Sequence, residues 1–87
     1  MPDAFIWYHA NENQEPALLD WLMKVEEQAD VRGKLFIRKE KDKTTFMETY
    51  TDVSSATINR IEKLASTQPL FATIHRQCES FVEVSNN

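Results

Sequence analysis

The 87-residue sequence holds one glycine, one cysteine and three prolines. A lone cysteine, Cys78, cannot close an internal disulfide, so packing or self-association must hold so short a chain together. The scarcity of glycine and proline excludes a collagen-like or linker-like chain and leaves no glycine-rich loop to cradle a phosphate. No run approaches the roughly 18 apolar residues of a membrane span. The start, MPDAFIWYHANE, has an early acid where a secretory leader has a basic segment, which points to the cytoplasm. Excess positive charge is missing too: 10 Lys and Arg stand against 14 Asp and Glu, a formal charge of -4. That balance counts against nucleic acid, whose phosphates must be met by clustered cations.

What is present is ordinary globular composition, 41% hydrophobic and 28% charged, in a length that supports one core and therefore one domain over residues 1–87. The aromatic segment Ala4–His9 is too short for a helix and reads as a first strand. From Glu15, helical spacing of Leu18, Trp21, Leu22, Val25 and Ala29 predicts a helix with Pro16 in its first turn, ending before Gly33. GKLFIRKE and TTFMETYT alternate as a hairpin, with Lys41, Asp42 and Lys43 as a three-residue turn. Ile58, Ile61 and Ala65 mark a second helix capped by Ser54 or Ser55. Pro69 then starts a short turn that packs Leu70, Phe71 and Ile74, ESFVEV is a last strand, and the terminal SNN should fray. The order strand, helix, strand, strand, helix, strand is a split βαβ arrangement: an α+β sandwich whose four-stranded antiparallel sheet has both helices on one face and strands one and three in the middle.

Alternation divides the strands into two faces. Ile6, Tyr8, Leu35, Ile37, Met47, Val82 and Val84 form a mostly aliphatic set suited to burial under helices. Phe5, Trp7, His9, Phe36, Arg38, Phe46, Glu48, Tyr50 and Phe81, with Glu79 and Glu83, form the set expected on the open face. This assignment needs even residues of the hairpin opposite even ones, with Arg38 across from Phe46 and within reach of Glu48. Six rings exposed there amount to roughly 450–750 Å² even if half covered, at or above the largest patch usual on a monomer. The expected occupant is a second copy of the chain; the alternative is a small apolar or aromatic ligand held between the sheets. Base stacking by Trp7, Phe46 and Tyr50 is a further option, opposed by the acids on the same face.

Signals for chemistry are few. His9, His75 and Cys78 have no metal-ligand spacing, no cofactor is called for, and no nucleophile stands with a histidine and an acid. His9, Arg38 and Glu48 could orient a ligand, although Arg38 with Glu48 reads first as an ion pair that fixes register. Cys78 reads as a small buried thiol and Trp21 as core. The basic segment Arg32–Lys43 reads as a solvated hairpin that discourages edge pairing.

FIWYH, FMETY and RQCESF resemble segments of a family of small proteobacterial proteins of unknown function, over nearly the whole chain. More distantly, the element order resembles the ferredoxin-like dimeric α/β-barrel proteins, which include cofactor-free oxygenases, haem-degrading enzymes and small isomerases. That resemblance implies sheets paired face to face, and an enzyme of the oxygenase or isomerase type as the alternative to a binding or accessory protein.

Overall fold

The computed structural model describes residues 1–85, so the fraying expected of Asn86 and Asn87 lies outside the described residues. Strand β1 (Asp3–His9) alternates as its sequence requires, with Ala4, Ile6 and Tyr8 fully buried and Phe5 and Trp7 half-buried on the other side. The turn that follows is capped by Asn11, whose side chain accepts from the Asn13 N–H while its own N–H donates to Gln14 Oε1. Helix α1 (Glu15–Ala29) then buries the five residues of its predicted stripe. It stops at Asp30, whose φ of 55° is one that a short polar side chain tolerates and whose N–H closes on Glu26 O at 3.1 Å.

Strands β2 (Lys34–Lys39) and β3 (Thr44–Tyr50) form the expected hairpin with a different register. Lys39 faces Thr44 and Glu40 N–H donates to Lys43 O at 2.8 Å, leaving only Lys41 and Asp42 at the tip. One residue fewer in the turn shifts the pairing by one, so Ile37, not Arg38, faces Phe46, and Leu35 faces Glu48. Because β1 pairs Ile6 with Glu48 and Tyr8 with Phe46, the two faces of β3 are exchanged relative to expectation. Phe46, Glu48 and Tyr50 lie under the helices at 0% exposure, and Met47 takes the open face.

Helix α2 (Ser55–Ala65) starts where Ser54 Oγ accepts from the Thr57 N–H at 3.1 Å, and it buries Ile61 and Ala65. The turn Pro69–Phe71 buries Phe71 and sets Leu70 and Ile74 against the core. Strand β4 (Gln77–Phe81) begins and ends earlier than ESFVEV implies. Val82 and Val84 therefore belong to no helix-facing set; they lie past the strand, 71% and 86% exposed.

The sheet order is β2-β3-β1-β4, every pair antiparallel, with α1 and α2 closing one core against one face. This is the ferredoxin-like α+β sandwich that the element order predicts. Gly33, the single glycine, owes its place to close approach: a Cβ there would come within 2.9 Å of Tyr50 Cζ. No helix among the described residues is long and apolar enough to cross a membrane.

Candidate functional site

Beneath the helices, Glu48 is the hub that explains TTFMETYTD. Its two oxygens accept from Tyr8 Oη at 2.6 Å, Tyr50 Oη at 2.7 Å, Arg76 Nη1 at 2.7 Å and Arg76 Nη2 at 3.3 Å. Four donors fill the lone-pair sites of a carboxylate. Arg76, in the segment entering β4, turns its other edge to Glu62 of α2, with Nη2 to Oε2 at 2.7 Å and Nε to Oε1 at 3.3 Å. Its guanidinium lies 4.4 Å from the Phe71 ring centre and within 5.5 Å of those of Tyr8 and Trp21. One cation thus ties β1, β3, both helices and the Pro69–Phe71 turn together. Burial alone would lower the Arg76 pKa, but its bonds to Glu62 and Glu48 outweigh that and hold it charged. Burial first, and the Glu48 charge second, raise the Tyr8 and Tyr50 hydroxyls far above the ordinary phenol value.

Glu48 is sealed from solvent and has its accepting sites filled, so it is a structural anion rather than an exposed acid or base. His9, Arg38 and Glu48 are not brought together. His9 is on the opposite face, its Nδ1 3.0 Å from Thr45 Oγ1, while Arg38 is paired loosely with Glu40 at 3.4 Å. The expected Arg38–Glu48 pair is replaced by Arg76–Glu48, because the register turns Glu48 away from Arg38. Cys78 is exposed, not buried, since it lies on the short edge strand; partial desolvation and then Glu62 raise its thiol pKa, the reverse of activation. His75 is on the surface. In the basic hairpin region, Arg32 pairs with Glu26 and Lys39 with Glu12, which leaves little concentrated positive charge.

The open face keeps Phe5, Trp7, His9, Phe36, Arg38 and Phe81 from the expected set and gains Met47. Its residues fall in rows across the strands: Arg38, Thr45 and His9; then Phe36, Met47, Trp7 and Gln77; then Lys34, Thr49, Phe5 and Glu79. Phe36 and Phe81 remain 54% and 58% exposed. Trp7 donates to Glu79 at 3.1 Å and meets the His9 ring edge-on, and Phe5 meets Phe81 the same way. Shallow grooves of ≈ 380 Å³ and ≈ 340 Å³ flank the Trp7–Met47 ridge, one toward Phe36 and Arg38, the other toward Phe81 and Glu79. Two of the three rings expected to stack bases, Phe46 and Tyr50, are absent from this face.

No residue pattern marks Arg76, Tyr8 or Glu62 as members of one network, since the contacts span 28 to 40 residues in sequence between β3 and its partners. No family model matches the chain, and no curated protein matches it by sequence. Solved structures do resemble it. A de novo designed protein, Foldit4, aligns with a TM-score of 0.76 at 12% identity over 95% of this chain and 98% of its own. A putative PII-like signalling protein from Thermus thermophilus aligns at 0.59 and 17% identity, covering 93% of this chain and 87% of its own. An uncharacterised NIPSNAP domain protein from Burkholderia xenovorans aligns at 0.58 and 8% identity, covering 100% and 98%. At such identities the likeness establishes the shared fold and nothing finer.

Proposed function

We propose that this protein is a small cytoplasmic binding or accessory protein that acts as a homodimer, the aromatic sheet face of one copy covered by that of a second. The observation that carries the reading is the open face itself. Phe36 and Phe81 are more than half exposed at 54% and 58%, with Phe5, Trp7 and Met47 half-buried between them, an apolar band across all four strands with no element above it among the described residues. Four strands about 4.8 Å apart and about six residues long give a face of roughly 400 Å² in projection. Two such faces approach about 800 Å² before side-chain relief is counted, near the 1,000 Å² or so that a specific interface needs. For a chain this short, a second copy also adds the core that one sheet and two helices supply sparingly.

In this proposal residues 1–87 are one domain, akin to small proteobacterial proteins and more distantly to the dimeric α/β-barrel proteins. An accessory role is in keeping with a signalling protein among those that share the fold. The grooves beside Trp7 would hold a small apolar or aromatic ligand between the paired sheets. Sedimentation equilibrium of the wild type and Phe36→Glu tests the reading. Phe36 is exposed, so the variant should fold; the expected result is a two-chain mass for the wild type and a one-chain mass for the variant. A one-chain wild type, or a variant that dimerises equally well, would remove the proposal.

A further inference from the structure

The layout of charge on the open face points to how the two copies meet, an inference that rests on the face-to-face reading above. Cations of this face are on β2, at Lys34 and Arg38, and the β4 edge carries Glu79. Lys34 is exposed and has no ion pair among the described residues, while Arg38 has only the long contact to Glu40. Glu79 is exposed and uses one oxygen on Trp7. The face is therefore basic along the β2 edge and acidic along the β4 edge, with Phe5, Trp7 and Met47 between them; its other carboxylate, Asp3 at the start of β1, accepts from the Asp52 N–H.

Two faces related by a two-fold axis can meet in two limiting ways. With the axis across the strands, β2 covers β2 and β4 covers β4, which gathers Lys34 and Arg38 of both copies and sets Glu79 near its own image. With the axis along the strands, between β3 and β1, β2 of one copy covers β4 of the other, and every residue stays at its own height. We infer that the protein dimerises about a two-fold axis parallel to the strands, which seats Lys34 of each copy against Glu79 of the other. Register supports the pairing directly, because Lys34 and Glu79 end the same row through Thr49 and Phe5. The neighbouring row then puts Met47 of one copy over Trp7 of the other, so the apolar centre is self-complementary. Aligned sheets cross at about 30°, which displaces facing edges by roughly one residue, within reach of a lysine side chain.

A charge exchange separates this geometry from its rivals. Lys34→Glu and Glu79→Lys are each expected to weaken the dimer about tenfold or more, and the double variant to return within a few-fold of wild type, measured by sedimentation with circular dichroism to confirm folding. Rescue cannot arise inside one chain, where three strand spacings hold the two positions about 14 Å apart. A wild-type dimer whose single variants dimerise normally, or whose double variant stays weak, overturns the strand-parallel axis and leaves the face-to-face reading intact. A monomeric wild type overturns that reading itself, and the axis with it.

Discussion

Tyr8 and Tyr50 are the only two tyrosines in the chain, both are 0% exposed, and both donate to the same carboxylate. Their hydroxyl pKa values are raised by burial and by Glu48, so the folded chain keeps two protons that the unfolded chain releases from about pH 10 upward. Above that pH the folded state binds more protons than the unfolded one, and stability falls as pH rises. Each tyrosine contributes a loss of about 1.4 kcal/mol between pH 8 and pH 11, and the pair about 2.8 kcal/mol. Tyr8→Phe removes one of the two protons from this balance. At pH 8 the variant should be less stable by about 1.5–3 kcal/mol, the value of a hydrogen bond to a charged group. By pH 11 that gap should shrink by about 1.4 kcal/mol, because only the wild type continues to lose the Tyr8 share. Contributions from other groups are common to both proteins and cancel in the difference. Urea denaturation followed by circular dichroism at the two pH values measures the gap. A gap that stays constant from pH 8 to pH 11 would refute the view that the Tyr8 proton is locked in by Glu48.

Arg76→Met should cost about 3–5 kcal/mol in urea denaturation, since it leaves Glu48 buried without its counter-ion; adding Glu48→Gln should recover part of the loss, and no recovery would mean that Arg76 acts by packing alone. Gly33→Ala should cost about 1–3 kcal/mol, because its Cβ displaces a Tyr50 ring that Glu48 holds in place; unchanged stability would show that the ring can shift freely.

The fold was legible because its signals are local. Leu18, Trp21, Leu22, Val25 and Ala29 mark the buried side of α1, alternation in β1 separates Ile6 and Tyr8 from Phe5 and Trp7, and Ser54, one of the two serines expected there, caps α2. The side of β3 was not legible, for two reasons. Both of its faces carry large apolar residues, Phe46 and Tyr50 on one and Met47 on the other, so hydrophobicity alone does not choose between them. A glycine-free turn then leaves the hairpin register open by one residue, and the charge of Glu48 argues for solvent until its partners are known. Those partners come from β1 and from Arg76, and no periodicity links them to Glu48. The open face survives the exchange because Met47 replaces the rings it loses.

Isotope-filtered nuclear Overhauser measurements on an equimolar mixture of labelled and unlabelled chain test the self-covering sheet face most directly. The account predicts contacts between the Met47 methyl group of one copy and the Trp7 indole of the other. Absence of any contact between copies would contradict it, as would contacts confined to Leu19 and Met23, the exposed apolar residues on the outer side of α1.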